Sequence, residues 1–484
     1  MAEAIEALLP VGVRPRQLSV RTLLLGMLRL SSEGRPGHLV RVHEALLCLP
    51  EAEQRRLGVI VRLHGAEHRL TYRQVEYTYG LIARALSKER PDGAPSELLC
   101  EVIDRLLEAS VVACAAPTGG CYAIDWSALE AWSRPPRRDG RCTDPEAAWG
   151  HRTVNCPGES ETFFGYYLQA VTMLKEERGA QVPELVARIH LASPKHDPPA
   201  QIVGVLKRMA GAGAPISDLL CDCGYSYRDP AAFALPLRAI GAKLVMDIHP
   251  NDRGMKGTHQ GAVICGGALY CPAAPEALLE LSPLAPRADQ EQIARQERCE
   301  QELSRYKLSP ISGYDKDGYR RVACPAVAGK VRCPLRPASM ALSYQRASVS
   351  CPPAHPPRCC TQQTITVAPS VGAKTAQKHD YPSAAHRRSY ARRSAAERTF
   401  ASVYDAATNN LARGHCRLRG LAPIALFCAT VFVARNLRIA DSFAARRAQE
   451  ARERAKGLPA RRRRGRRGQA GELAGAANAP PPAA

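Results

Sequence analysis

Three acidic residues, far apart in the sequence, are the first candidates for chemistry. Asp125 and Asp222 each follow an apolar, strand-like run, and Glu397 lies on a predicted helix. Tyr390 and Arg393 precede Glu397 at spacings of three and four residues, so the three side chains share one helical face. Carboxylates that converge from different elements can hold two divalent cations for phosphoryl transfer. Mg²⁺ and Mn²⁺ prefer such oxygen ligands, so the set predicts a metal-dependent phosphoryl-transfer site.

A blander interpretation applies to each acid taken alone. A single aspartate at the end of a strand usually serves as a turn or cap residue. Asp144, in the segment TDPEAAW, competes with Asp125 for the place of the first acid. We favour Asp125 because a buried strand precedes it, whereas a polar loop surrounds Asp144.

The elements that must position these acids divide the chain into five predicted regions. Residues 1–112 have helical spacing throughout, with a Thr-x-x-Gln capping box at Thr71, and predict an all-α domain. Its basic side chains suit a helix-turn-helix, but a helical bundle that does not touch DNA fits the pattern equally well. From Val111 a β-hairpin is expected to lead into Asp125. Strands and helices then alternate through residue 249, which predicts an α/β sheet.

The remaining regions have different compositions. Residues 250–375 are rich in Pro, Gly and Cys and predict an insertion around a charged helix at 289–306. Residues 376–445 return to helix and carry Glu397, and 446–484 predict a basic disordered tail. The apolar run 421–433 is too short for a membrane span and predicts a buried helix.

Cysteines in the insertion could form a second metal site. With 18 cysteines in a 484-residue chain and no signal peptide at its start, we expect reduced, buried or metal-bound thiols. A structural Zn²⁺ is one prediction, although the spacing is looser than paired Cys-x2-Cys knuckles, and free thiols are the alternative. The candidate ligands are Cys324, Cys333, Cys351, Cys359 and Cys360, with His355 nearby.

The charge of the chain points to a polyanionic partner. The formal net charge is +21, and residues 387–467 alone hold 21 Lys and Arg against 5 Asp and Glu. Nucleic acid is the commonest polyanion bound by such proteins. An alternative is that the Ala/Arg/Pro/Gly-rich composition of the tail reflects a GC-rich genome.

The motif around the third acid resembles that of DDE transposases of bacterial insertion sequences. In one large branch of that family this acid lies in Tyr-x2-Arg-x3-Glu-x6-Lys. The chain has Tyr390, Arg393 and Glu397 at those spacings, and Tyr404 in place of the lysine.

The other two acids extend the resemblance. The second acid of the family lies in Asp-x-Gly-Tyr, as Asp222 does here, and the first in Asp-x-Thr/Ser after a strand, as Asp125 does. The resemblance spans roughly residues 113–440, and the order of the motifs is its most specific feature.

The resemblance implies an RNase H-like catalytic core interrupted by the insertion, with Mg²⁺ or Mn²⁺ at Asp125, Asp222 and Glu397. It implies nicking at the ends of a mobile element, followed by attack of the freed 3′-hydroxyl on target DNA. The expected partners are double-stranded DNA (terminal inverted repeats and target) and a second copy of the chain, in the nucleoid of a bacterial cytoplasm and not at a membrane. The expected DNA contacts are Tyr390, Arg393, Arg398 and Tyr404.

Two other functions stay open at this point. The loss of the family's lysine at Tyr404 suits a transposase-derived protein that binds DNA without cutting it. A basic scaffold at a membrane surface, using the 421–433 helix and the arginine tail, is the third hypothesis.

Overall fold

A computed structural model describes residues 2–10, 16–87, 95–114, 119–137, 140–153, 160–226, 228–285 and 287–457. The chain forms two compact units, residues 1–437 and 438–484. The first four predicted regions begin within the first unit. The predicted disordered tail, 446–484, begins within a helix that continues to Ala455, and from position 458 onward it lies outside the described residues.

The N-terminal region is mainly helical, as predicted, but it also contains a β-hairpin that the sequence pattern did not reveal. The capping box at Thr71 is present: its side chain accepts from the Gln74 backbone, and the Gln74 side chain accepts from the Thr71 backbone. The elements are α1 (Ala2–Glu6), α2 (Val20–Ser32), α3 (Leu39–Leu47), α4 (Glu51–Arg56), β1 (Ile60–Leu63), β2 (Ala66–Arg69), α5 (Tyr72–Leu86) and α6 (Glu97–Ala113). The strand expected from Val111 is wrong, because α6 continues to Ala113.

A six-stranded mixed sheet follows and confirms the α/β class. Its longest strand is Ser160–Met173. Along one edge this strand pairs first with Ala148–Thr153 and then with Val186–Ala192, and along the other edge it pairs with Tyr122–Glu130. The elements are β3 (Tyr122–Glu130), β4 (Ala148–Thr153), β5 (Ser160–Met173), β6 (Val186–Ala192), α7 (Pro198–Gly211), β7 (Asp218–Cys221), α8 (Cys223–Ser226), α9 (Ala234–Ala239) and β8 (Lys243–Met246).

The strand directions are set by the connections. β3, β5 and β6 are antiparallel neighbours, whereas β7 lies parallel to β3 and β8 parallel to β7. The helix α7 links β6 to β7 and returns the chain to the edge of β3. β6 and β7 are buried along their whole length, as expected for strands covered on both faces.

The predicted insertion contains short strands and helices outside the main sheet. Two small apolar clusters, rich in cysteine, form its core. The elements are β9 (Met255–His259), β10 (Ala262–Cys265), β11 (Ala268–Tyr270), α10 (Glu276–Leu279), α11 (Gln290–Tyr306), β12 (Ser309–Pro310), β13 (Arg320–Ala323), β14 (Val331–Arg332), β15 (Ala347–Ser348), α12 (Arg358–Thr361) and β16 (Ile365–Val367). The charged helix predicted at 289–306 is α11, with Asp289 as its N-cap.

The chain then returns to helix, in α13 (Ala384–Tyr390), a 3₁₀ turn (Ala391–Arg393), α14 (Ser394–Tyr404) and α15 (Leu421–Ala455). Residues 421–436 of α15 are buried, as the sequence predicted for this apolar run. Judged by length and composition alone, α15 could cross a membrane, but most of its apolar window is buried inside the protein. The N-terminal helices pack on the same segment, where the Tyr79 hydroxyl donates to the Pro423 carbonyl at 3.1 Å.

Candidate active site

Asp125 and Asp222 lie level with each other on neighbouring strands. The parallel pairing of β3 and β7 ends at Ala123 and Leu220, and each aspartate comes two residues later. Adjacent strands run about 4.8 Å apart, so the two carboxylates start from neighbouring points of one sheet. Asp222 directly follows its strand, as predicted, but Asp125 lies within β3 and not at its end.

Aromatic packing locks the two aspartate motifs together. The rings of Trp126 and Tyr225 meet edge to face at 4.4 Å, and Tyr225 is fully buried. Gly224 lies under the same tryptophan, where an added Cβ would come within 2.6 Å of the ring. The glycine of the Asp-x-Gly-Tyr motif is therefore needed for close approach, and the motif residues fix the relative position of both acids.

The third acid reaches the site through Arg393. The Arg393 guanidinium lies 3.5 Å from a carboxylate oxygen of Asp125 and 3.3 Å from one of Glu397, and its Nε donates to the Tyr390 hydroxyl at 3.0 Å. The three side chains predicted to share a helical face therefore do so, across the junction of α13, the 3₁₀ turn and α14. Asp125 and Arg393 are mostly buried, whereas the Glu397 side chain is 63% exposed.

A second ion-pair network anchors this helical segment to the sheet. Arg392 donates to a carboxylate oxygen of Asp218 at 2.8 Å, and Lys378 donates to the same oxygen at 2.8 Å. Asp218 opens β7 and Asp222 follows its end, so the strand is held to the helix beside the site. Ala395 and Ala396 add apolar contact with residues of β3, β7 and β8. Neither Arg392 nor Asp218 was predicted from the sequence.

Excess negative charge in a buried place perturbs the acids. Burial, with the nearby Asp222 carboxylate, raises the pKa of Asp125 to about 7, against the opposing effect of Arg393. Burial also raises the pKa of Asp222, while Arg393 again opposes the shift. Asp222 and Glu397 both raise the pKa of Asp125, so both lie within electrostatic reach of Asp125.

A fourth acid, not predicted from the sequence, also lies near the site. Asp247 follows β8, whose register pairs Cys221 with Met246, so it lies beside Asp222 at the same sheet edge. The Tyr381 hydroxyl donates to Asp247 at 2.6 Å, and the charge of Asp247 helps to raise the pKa of Asp222. Its position directly after a predicted strand was the signal that could have revealed it.

The other two predicted DNA-contacting side chains, Tyr404 and Arg398, also have partners within the protein. The Tyr404 hydroxyl donates to the Ala128 carbonyl at 2.7 Å, which ties the end of α14 to β3 and leaves the hydroxyl unavailable at the surface. Arg398 forms a two-pronged ion pair with Glu184, at 2.5 and 3.0 Å.

Asp144, the competitor for the first acid, is 1% exposed and accepts a 2.6 Å hydrogen bond from Tyr166. The charges that contribute most to the pKa shifts of Asp125 and Asp222 come from other residues. The structure brings Asp125, not Asp144, to the other acids.

The cysteines of the insertion divide by burial. Cys324, Cys333, Cys359 and Cys360 are buried, whereas Cys351 is exposed. Cys271, which was not among the predicted ligands, is buried with Cys324 and Cys333 in one apolar cluster. Burial raises the pKa of Cys271 to about 12, with further contributions from Cys324, Cys360 and Cys333.

In the part of the chain that the structure describes, no three His, Cys, Asp or Glu side chains are arranged as ligands of one metal ion. Two of the acids, Asp125 and Glu397, instead contact the Arg393 guanidinium. Comparisons with protein-family models, with curated proteins and with solved structures find no match for this chain.

Proposed function

We propose that this protein is a DNA transposase that cuts element ends and joins the 3′-hydroxyl to target DNA. The observation that carries the proposal is the meeting of Asp125 and Asp222 on adjacent strands, with Glu397 held next to them by Arg393. Phosphoryl transfer on a metal pair requires carboxylates that converge from different elements. Here two come from a sheet and one from a helix, and the first and last are 272 positions apart in the sequence. A mixed sheet with a helix packed across its acid-bearing strands is compatible with an RNase H-like core, which we include in the proposal.

The donor set fits Mg²⁺ or Mn²⁺ in chemical type, since Asp125, Asp222 and Glu397 offer only oxygen ligands. The pKa of Asp125 is raised first by burial and then by the charge of Asp222, and a cation beside these two carboxylates would offset both effects. When bound, such ions activate an attacking hydroxyl and stabilise the leaving oxygen.

Arg393 and Tyr390 would hold the phosphate in this proposal. A guanidinium binds phosphate and carboxylate with the same paired hydrogen bonds. Arg393 now contacts Asp125 and Glu397, so loading the acids with cations would release it toward a phosphate oxygen. The buried anchor of Arg392 on Asp218 keeps the segment in place during that exchange.

The test is nicking of a plasmid that carries the inverted repeats flanking the reading frame, with Mn²⁺ present. We expect Asp125→Asn, Asp222→Asn and Glu397→Gln to abolish nicking. Asp144→Asn is the matched control, because it keeps the shape of a buried carboxyl outside the acid group, and it should still cut. Nicking that survives in Asp222→Asn, or is lost in Asp144→Asn alone, would overturn the assignment.

One observation favours a second function, a transposase-derived protein that binds DNA without cutting. Arg393 already satisfies two of the three acids, and the described residues present no ready metal-ligand set. In that case the plasmid is bound but stays intact at every Mn²⁺ concentration, and Asp222→Asn leaves binding unchanged.

A structural Zn²⁺ in the insertion stays a prediction, and no three of the described side chains are arranged as its ligands. Burial of several thiols in a small core is stabilised when a metal binds them as thiolates. The buried position of Cys324 and the exposed position of Cys351 make a direct test. Purified protein should contain one equivalent of zinc by elemental analysis, Cys324→Ser should lose it, and Cys351→Ser should keep it. Absence of zinc from the wild-type chain would remove this element.

A further inference from the structure

A basic cleft lies apart from the acid cluster. It is formed by residues of the insertion, between 304 and 347, and by Asp380, which follows the insertion. It measures about 520 Å³. Its charged lining residues are Arg305, Lys307, Lys330, Arg346 and Asp380. Four cations therefore face one carboxylate, and a cleft lined by one sign of charge attracts ligands of the opposite sign.

The helix dipole accounts for only two of these four cations. Arg305 and Lys307 lie at the C-terminal end of α11, where positive charge complements the helix dipole. Lys330 and Arg346, however, come from the two segments that precede β14 and β15, so the dipole does not explain them. Among the described residues, Lys307 pairs with Asp380, and no ion pair is formed by Arg305, Lys330 or Arg346.

Lys330 shows that the cleft has a surplus of positive charge. Its ammonium donates to the Lys307 carbonyl at 3.2 Å, and it lies half-buried. Burial lowers the pKa of Lys330, and the neighbouring charge of Lys307 lowers it further, with only Asp380 opposing. An anion in the cleft would relieve this repulsion.

The cleft is joined to the candidate active site through the chain itself. Asp380 precedes Tyr381, whose hydroxyl donates to Asp247 beside Asp222. Glu300 on α11 accepts from the Ala384 backbone at 2.9 Å, which ties α11 to the start of α13. These two hydrogen bonds join segments that line or flank the cleft to residues beside the acids.

We propose that this basic cleft binds the phosphate backbone of the DNA strand that flanks the acid cluster. The inference rests on the proposed function and deepens it by assigning a binding site for the substrate outside the acids. Seven of the ten residues that line the cleft are charged or polar, whereas pockets for small ligands are lined mainly by apolar side chains. The four cations of the cleft come from three segments of the chain, around residues 305–307, 330 and 346. A ligand with several phosphates in a row can contact all three segments at once.

The experiment compares the double variant Arg305→Ala/Arg346→Ala with the matched double variant Arg295→Ala/Arg298→Ala, in the full chain. All four arginines are exposed, and Arg295 and Arg298 lie on α11 outside the cleft, so both variants lose the same charge without disturbing the core. The probe is a fluorescein-labelled 30-base-pair duplex of arbitrary sequence, followed by anisotropy over a range of NaCl concentrations.

The plot of log K against log[NaCl] has a negative slope, and each lost phosphate contact makes it less steep by about 0.9. The slope of the cleft variant should therefore be less steep by about 2. The control variant should keep the wild-type slope. Equal slopes in the wild type and the cleft variant, or equal losses in both variants, would overturn the proposal.

Nicking measured separately distinguishes this inference from the proposed function. If the cleft variant loses slope while no protein nicks DNA, the cleft binds DNA and the transposase proposal fails. If Asp222 is needed for nicking while the cleft variant keeps its slope, only the cleft proposal fails.

Discussion

Replacing Asp125 by asparagine should change how stability depends on pH. The carboxyl has an ordinary pKa of 3.8 when the chain is unfolded and a pKa of about 7 in the folded protein. Between these values the folded chain holds a proton that the unfolded chain has lost. The free energy of unfolding of the wild type therefore falls as pH rises from about 4, and the loss is complete above pH 7. The amide of the Asp125→Asn variant cannot titrate, so the variant lacks this loss.

The magnitude follows from the shift. One pKa unit corresponds to about 1.4 kcal/mol, so a shift of about three units sets an upper limit of about 4 kcal/mol. The Asp125 side chain keeps 16% of its surface exposed. Water and the coupled Asp222 reduce the effect, and we expect Asp125→Asn to gain about 2–4 kcal/mol on the wild type between about pH 4.5 and pH 8.

The assay is urea unfolding at a series of pH values, followed by tryptophan fluorescence. All three tryptophans, Trp126, Trp132 and Trp149, lie in the first unit, so the signal reports the unit that holds the acids. Glu291→Gln, at an exposed position on α11, is the control and should follow the wild-type curve. Parallel pH curves for Asp125→Asn and the wild type would refute the claim that burial and the neighbouring acids perturb this carboxyl.

Three further predictions concern the supports of the site. Gly224→Ala should lower the free energy of unfolding by about 1–3 kcal/mol, because the new methyl meets a tryptophan ring at 2.6 Å. Gly204→Ala, on α7 with open space around it, should raise it by about 0.5–1 kcal/mol; similar thermal shifts in both would contradict the packing argument. Arg392→Ala removes one cation from the buried Asp218 carboxylate and leaves it paired with Lys378. The free energy of unfolding in urea should therefore fall by about 1–3 kcal/mol. The exposed Arg388→Ala should stay within about 0.5 kcal/mol of the wild type. Tyr404→Phe should lose about 1 kcal/mol of stability and leave DNA affinity by anisotropy unchanged, and a weakened affinity would restore a DNA contact at this position.

The sequence pattern predicted the parts of the site that local chemistry determines. Apolar runs indicated the strands that carry Asp125 and Asp222, and the spacing of Tyr390, Arg393 and Glu397 gave their common face correctly. These features depend on residues within a few positions of one another. That the acids meet at all was suggested by resemblance and not by periodicity, since contacts over hundreds of residues leave no local pattern.

Other features could not be read in this way. The run from Val111 is β-branched and apolar, and periodicity alone does not separate a buried helix end from a strand. The hairpin β1–β2 is mostly exposed and short, so it lacks the apolar alternation that identifies strands. The ion pair of Arg392 with Asp218 joins residues 174 positions apart, and nothing in either neighbourhood indicates the partner.

The two proposed functions of this site, cutting and binding without cutting, differ in what offsets the charge of its acids. Arg393 contacts Asp125 and Glu397, and the Arg253 guanidinium lies 3.5 Å from a carboxylate oxygen of Asp247, so two guanidinium groups face the four carboxylates of Asp125, Asp222, Glu397 and Asp247. Burial disfavours charge on the guanidinium, and the neighbouring Tyr390, Asp125 and Asp222 outweigh it, so the pKa of Arg393 is raised and its charge is secure. With a pKa of about 7, Asp125 is partly protonated near neutral pH, and this proton lowers the negative charge of the group further. In the proposed transposase, Asp125 and Asp222 would hold a divalent cation that offsets this buried negative charge, whereas in the proposed binding protein Asp125 would keep its proton near neutral pH.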